Sequence, residues 1–191
     1  MQIILASQSP RRKELMQLFH LPFTVRVADI DETIDPSKAP GDEVARLSLW
    51  KAKAVPREKT DIVIAADTIV VCNGQILGKP HNEEEATAML QLLSGREHQV
   101  MTGLTVLKGQ TTITRTQVTN IRFCQLTDKQ IRDYVRSGEP MDKAGAYGIQ
   151  GGGALFAEQI QGDYFNVVGL PVCLLGQILR EIAPELSEET Q

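Results

Sequence analysis

The chain has little cysteine: Cys72, Cys124 and Cys173 are the only three in 191 residues, and no two of them form a C-x-x-C pair. An odd number of widely spaced thiols argues against a disulfide framework and against a thiolate zinc site, so all three are expected as reduced core residues. Histidine is as sparse. His20, His81 and His98 have no spacing that sets two imidazoles on one helical face, which argues against a histidine metal site and leaves surface or capping roles. The N-terminus has only a short apolar start, and no stretch approaches the ~20 apolar residues of a membrane span. A soluble cytoplasmic protein with no membrane partner is expected. Basic residues are not in excess, with 20 Lys and Arg against 24 Asp and Glu and a net charge of -4. Nothing chain-wide attracts nucleic acid or anionic lipid, so any phosphate recognition has to be local.

What is present is enough apolar material to close a core. At 42% hydrophobic content, residues 1–191 are expected as a single compact domain, with 184–191 as a frayed acidic tail. The apolar run Gln2 to Ala6 reads as a strand feeding a helix over Arg11 to Leu21, with Ser9 as N-cap and Pro10 in the first turn. Phe23 to Ala28 alternates as a half-buried strand, followed by an acidic loop, Asp29 to Asp35, that ends at Pro36. Asp42 to Val55 is helical. Asp61 to Ala66 reads as a strand buried on both faces, with Asp67-Thr68 at its carboxyl end. Ile69 to Cys72, an Asn73-Gly74 turn and Gln75 to Leu77 form a hairpin.

Asn82 with Glu85 is a capping box for a helix through Leu93, stopped at Ser94-Gly95. Val100 to Leu107 and Thr111 to Leu126 alternate as two long antiparallel strands, and Thr127 with Gln130 caps a helix to Arg136. Residues 142–153 break the periodicity with five glycines. Leu155 to Ile160 and Asp163 to Val168 read as strands, and Pro171 opens a last helix through Ile182.

Four features carry chemistry. The Ser7–Arg12 turn opens a helix whose free N–H groups suit an anion. Arg11 and Arg12 there are unfavourable beside a positive helix end, a local rule broken without visible structural gain. A solvated basic helix end accounts for the same residues. Asp67 and Thr68 after a hydrophobic strand suit a rigidly held catalytic carboxylate, or a turn aspartate satisfying its own backbone. Glu32 in the acidic loop can join Asp67 on Mg²⁺, which favours a few carboxylates plus phosphates and water, although such loops are also simply solvated. Lys51, Lys53, Lys79 and Lys143 can meet phosphate as point charges. Lys51 and Lys53, two apart on a helix, cannot both face one site.

The ordered motifs Leu5-Ala6-Ser7-Gln8-Ser9-Pro10-Arg11-Arg12, Asp67-Thr68-Ile69-Val70, Leu77-Gly78-Lys79-Pro80, Asp142-Lys143-Ala144-Gly145-Ala146-Tyr147-Gly148-Ile149-Gln150-Gly151 and Asn166-Val167-Val168-Gly169-Leu170-Pro171 resemble the Maf family along the whole chain. The resemblance implies an α/β fold with a mixed, curved sheet and flanking helices, two lobes around a central cleft, similar to inosine triphosphate pyrophosphatases. It implies hydrolysis of a nucleoside triphosphate to monophosphate and pyrophosphate, and the Ala144–Gln150 version resembles the branch acting on dTTP and UTP. By the same resemblance Asp67 is the catalytic carboxylate. Arg12, Thr68 and Gln150 match positions for substrate choice, Ser7, Arg11, Lys51 and Lys79 match the phosphate cleft, and Glu32 falls where an acidic metal-site residue is expected. A homodimer is a family-level expectation.

The expected reaction is attack of water at the α-phosphorus with Mg²⁺ or Mn²⁺ held by Asp67 and Glu32. An ordinary aspartate, with pKa about 3.9, is a poor base for free water, so Asp67 is a base or a water-orienting ligand. Two rivals stand: a phosphatase with an aspartate nucleophile, weakened because Ile69 stands where a second Asp is expected, and a nucleotide-binding regulator of cell division without turnover.

Overall fold

The computed structural model describes residues 1–27, 29–35 and 37–187. Ala28, Pro36 and residues 188–191, where the expected strand end, loop end and tail end fall, lie outside the described residues. The elements in order are β1 (Ile3–Leu5), α1 (Pro10–Gln17), β2 (Phe23–Val25), α2 (Pro40–Ala54), β3 (Ile62–Cys72), β4 (Gln75–Leu77) and α3 (Glu83–Leu93). They continue with β5 (Glu97–Lys108), β6 (Thr111–Phe123), α4 (Asp128–Arg136), β7 (Ala157–Gln161), α5 (Tyr164–Val168) and α6 (Val172–Ile182), with short 3-10 turns around the glycine-rich segment. The strands make one seven-stranded mixed sheet in the order β2-β1-β3-β5-β6-β7, with β4 on β3. β1 is parallel to β2 and to β3, with Ile3 opposite Phe23 and Ile62. β6 and β7 are antiparallel. No helix among the described residues is long and apolar enough to cross a membrane.

The chain gathers into two compact units, Met1–Asp67 with Thr102–Gln117 and Gly169–Gln191, and Thr68–Met101 with Val118–Val168. In the first, Ile4, Ala6, Val63, Ala65 and Leu107 pack with Ala52 of α2 and with Val55 just after its end. The apolar face of α2 repeats at Val44, Leu47 and Ala52, the spacing that buries one helical stripe. In the second, Val70, Leu90, Val100, Ile121, Ile131 and Phe156 close a core around Phe123 and Tyr147.

Local start and stop signals act as the sequence suggests. Ser9 Oγ accepts the Arg12 N–H at 3.4 Å with Pro10 in the first turn, and Thr127 and Gln130 form a reciprocal capping box. Asn73 and Gly74 take φ of 50° and 77°, the paired positive values of a two-residue hairpin turn. At α3 only half of the expected box forms: Asn82 Oδ1 accepts the Glu85 N–H, but the Glu85 carboxylate accepts from the His81 N–H instead of from Asn82.

Several expectations are corrected. α1 stops at Gln17, with His20 at a φ of 54° turning the chain. β3 does not end before Asp67 but runs eleven residues, placing Asp67 and Thr68 in mid-strand, because its flanks are buried on both sides of that pair. Asp163 to Val168 is not a strand. The Thr119 hydroxyl donates to the Asp163 carbonyl and accepts its N–H, Asp163 Oδ1 accepts the Phe165 N–H, and Asn166 Nδ2 donates to Val100 O and Thr119 Oγ1. These captures outweigh the strand preference of the Val-Val pair and wind α5. Leu155 and Phe156 lie in a 3-10 turn rather than in β7.

Pro184–Ser187 is not frayed: Glu185 pairs with Lys108, and Leu186 is buried. Cys72 is buried as expected, whereas Cys124 is half-buried and Cys173 exposed. His98 is a core residue rather than a surface one, with Nε2 2.9 Å from the Tyr147 hydroxyl. Burial pushes its imidazole pKa down to about 4.

Candidate active site

In the first unit the sheet delivers the chain from β1 into α1. Ala6 extends the pairing through its N–H to Ile64 O at 2.8 Å, and Ser7 follows, buried. Ser7 Oγ accepts the Ser9 N–H at 3.2 Å and an Arg12 Nη1–H at 3.3 Å. Arg12 also donates Nε–H to Gly169 O at 2.8 Å. The arginine that looked unfavourable at a positive helix end is therefore tied down by contacts that no local pattern shows. Burial lowers its pKa, the charge of Asp67 opposes that, the half-buried Arg11 adds to it and Glu32 opposes it. A guanidinium held this way, partly stripped of water, is suited to an anion.

Asp67 sits in the middle of β3, its side chain 11% exposed. Facing it is Lys51 in the last turn of α2, where a cation is favoured by the negative helix end. Lys51 Nζ donates to Asp67 Oδ1 at 2.6 Å and to Glu32 Oε2 at 2.8 Å, so one ammonium joins two carboxylates from segments 35 residues apart in sequence (67 − 32). Lys53 is exposed and takes no part in this contact.

The loop bearing Glu32 is anchored by two residues that pattern reading missed. Glu43, fully buried, accepts from Arg46 at 3.0 and 2.6 Å and from the Asp35 N–H at 2.9 Å, and Arg46 also donates to Thr33 O at 2.9 Å. Arg46 holds the Glu43 carboxyl below the usual carboxylate range. The signal was present as an opposite-charge i,i+3 pair at the start of α2. Within the loop, hydrogen bonds from Thr33 to Asp31 and from Ser37 to Asp35 lower both carboxyl pKa values.

In the second unit, half-buried Thr68 follows Asp67 along β3. Exposed Lys79 follows β4, next to Gly78, whose carbonyl accepts the Gly145 N–H at 3.0 Å. Lys79 and the glycine-rich segment are thereby neighbours. Gln150 is exposed in a turn closed by the Gly151 N–H on Gly148 O at 3.2 Å. Lys143 turns away from phosphate duty, donating to Glu139 O and Asp142 Oδ1 at 2.6 Å each.

Among the described residues no group of three or more His, Cys, Asp or Glu side chains could hold a metal alone. Glu32 and Asp67 already converge on one cationic atom, and two carboxylate oxygens are the partial donor set that Mg²⁺ completes with phosphate oxygens and water. The residues fit such an ion.

Residues 2–182 match the family model described as Maf-like protein. Proteins of Bacillus cereus strain G9842 and Bacillus thuringiensis subsp. konkukian strain 97-27, each called dTTP/UTP pyrophosphatase, are 51% identical to this chain over 180 residues, 94% of either length. A HAM1 protein from Coxiella burnetii shares the fold at 16% identity, with a TM-score of 0.54 over 95% of this chain and 99% of that one. With a family model covering nearly its full length and close relatives aligned end to end, the chain belongs to the Maf-like protein family.

Proposed function

We propose that this protein is a nucleoside triphosphate pyrophosphatase that converts dTTP and UTP to the monophosphate and pyrophosphate. The observation that carries the reading is the Lys51 ammonium held between Asp67 and Glu32, close enough to Arg12 that both carboxylates bear on its charge. Cations beside acidic oxygens, one of them in the opening turn of a helix, form the kind of site a triphosphate and its counter-ion occupy. The relatives' names supply the substrate class, and the Gln150 amide, donor and acceptor together, suits the N3–H and O4 edge of uracil or thymine. A substrate drawn from the soluble nucleotide pool supports a cytoplasmic location.

In this reading Asp67 orients the attacking water and takes up its proton as the oxygen adds to the α-phosphorus. Asp67 and Glu32 would hold Mg²⁺ or Mn²⁺, an ion that supplies charge neutralisation for the triphosphate and acidifies water. Lys51 and Arg12 take up charge on the departing pyrophosphate, and the Ser7 turn offers its N–H groups to the same oxygens. Lys79, beside the Gln150 segment of the second unit, is a further cation suited to phosphate.

The test is a panel of nucleoside triphosphates with divalent metal, separating monophosphate, pyrophosphate and orthophosphate. Pyrophosphate with dTMP or UMP is expected; orthophosphate alone would overturn the pyrophosphatase reading and favour the aspartyl-phosphatase one. Asp67→Asn should abolish turnover while nucleotide binding persists; near-normal turnover removes Asp67 from the mechanism.

A further inference from the structure

Two side chains with no role so far hold the Gln150 turn from behind. They are Tyr134 on α4 and Glu139 in the 3-10 turn Glu139–Asp142. The Tyr134 hydroxyl accepts the Gly148 N–H at 2.9 Å and has one proton to give, which goes to Glu139 Oε1 at 2.9 Å. Glu139 Oε2 accepts the Gly152 N–H at 3.0 Å. Gly148 and Gly152 stand two residues before and two after Gln150, so a phenol and a carboxylate grip both ends of the turn. Burial raises the Tyr134 phenol above its ordinary pKa, which keeps the proton in place.

The glycines of the turn are shaped to the same pair. A Cβ at Gly151 would lie 2.2 Å from Glu139 Oε1, and one at Gly153 would lie 2.7 Å from Gly148 O and 3.1 Å from the Tyr134 hydroxyl. Three consecutive glycines let the backbone close onto Glu139 and Tyr134, a demand that a flexible loop would not make. A base edge read by two hydrogen bonds needs its partner placed within the few tenths of an ångström that such bonds tolerate. A glutamine amide turned over offers the complementary pattern to cytosine, so telling the two bases apart takes an amide held at one place and in one orientation, and a fixed backbone is the first condition for both.

We propose that Tyr134 and Glu139 are positioning residues for base selection, clamping the Gly148 and Gly152 amides so that Gln150 meets a thymine or uracil edge. The proposal rests on the reading of Gln150 as the base contact. Its test measures steady-state pyrophosphate release from dTTP and dCTP, with melting temperatures, for the wild type, Tyr134→Phe, Glu139→Gln, Glu139→Asp and Gln150→Ala. Glu139→Gln is isosteric but puts an NH₂ where either the Tyr134 O–H or the Gly152 N–H needs an acceptor.

Tyr134→Phe and Glu139→Gln are expected to raise KM for dTTP, with kcat less affected, and to lower the dTTP/dCTP ratio of kcat/KM by about tenfold, the scale of one displaced polar contact. Glu139→Asp, keeping the carboxylate, should recover part of the ratio. An unchanged ratio in Tyr134→Phe and Glu139→Gln, with a lowered one in Gln150→Ala, overturns the clamp and leaves the Gln150 reading standing. An unchanged ratio in Gln150→Ala overturns both. A loss confined to kcat or to melting temperature, with the ratio intact, also overturns the proposal by assigning the pair a purely structural role.

Discussion

Gly103→Ala tests whether the packing of α2 sets the chemistry of Lys51. Gly103 lies on β5 directly under α2, where an added Cβ would stand 2.1 Å from Val44 O, 2.3 Å from Val44 C and 2.7 Å from Ala45 N. Those contacts are backbone and cannot rotate away, so strand and helix have to part by roughly 1 Å in an interior packed as densely as a crystal. Overpacking of this kind costs about 1–3 kcal/mol. The parting also stretches the buried Ser48–Thr105 hydroxyl pair, 2.8 Å apart between α2 and β5, adding about 1 kcal/mol. A total near 3 kcal/mol lowers the melting temperature by roughly 6–12 °C for a chain of this size. Lys51 is seven residues beyond Val44, about 10 Å along the same helix, and moves with it. Its contacts of 2.6 and 2.8 Å to Asp67 and Glu32 do not survive such a displacement, and a misplacement of that size costs about 10²-fold in rate. Thermal unfolding followed by circular dichroism, with pyrophosphate release from dTTP at 25 °C, measures both effects. A variant that melts within about 2 °C of wild type refutes the packing argument on the scale used here. One that melts early yet turns over normally refutes the link from α2 to the site.

Two further outcomes follow from the same geometry. Lys51→Met should lower kcat by about 10²–10³-fold, the usual loss for a group that stabilises transition-state charge, while Lys51→Arg retains part of it; wild-type kcat in the methionine variant removes Lys51 from the reaction. His98, neutral in the core with a pKa of about 4 against an ordinary 6.5, gives a stability that is complete above pH 6.5. That stability falls as pH drops toward 4, because the unfolded chain takes up the proton first; the full difference is about 3 kcal/mol by linkage. His98→Gln should flatten the melting-temperature profile between pH 6.5 and 4, and an unaltered slope would assign the acid sensitivity to other groups.

What could be read from the sequence was what residues close together decide. The Thr127–Gln130 box, the Ser9 cap and the Asn73-Gly74 turn each act within four residues, and each stands where the pattern places it. Several of the misreadings share one physical cause, a partner distant in sequence. Asp67 looked like the end of a strand because a charge interrupts an apolar run, yet β3 continues because Lys51, sixteen residues earlier, neutralises that charge. The Val-Val pair of α5 looked extended because the capture by Thr119 comes from 44 residues away. Glu43 and Arg46 were visible as a helical pair, but that they anchor the loop bearing Glu32 depends on bonds to Asp35 and Thr33.

The same distinction explains why the ordered motifs were informative together and ambiguous singly. The Ser7–Arg12 turn taken alone fits any anion site, and the Gly169-Leu170-Pro171 end of the last motif suggests only a turn before a helix. In the folded first unit they are one object, because the Arg12 Nε–H is bound by the Gly169 carbonyl, presented by a glycine with φ of 120° that another residue would adopt only with strain. Likewise Lys79 and Gln150, 71 positions apart (150 − 79), belong to one construction in the second unit through the Gly145 N–H on Gly78 O. Each motif supplies half of a contact, so neither half has a local reason to be there. For that reason Arg12 at a positive helix end looked like a broken local rule, and the glycines after Gln150 like a break in periodicity. The first is resolved by Gly169 and Ser7, which hold the Arg12 guanidinium directly, and the second by Glu139 and Tyr134, which hold the backbone on either side of Gln150.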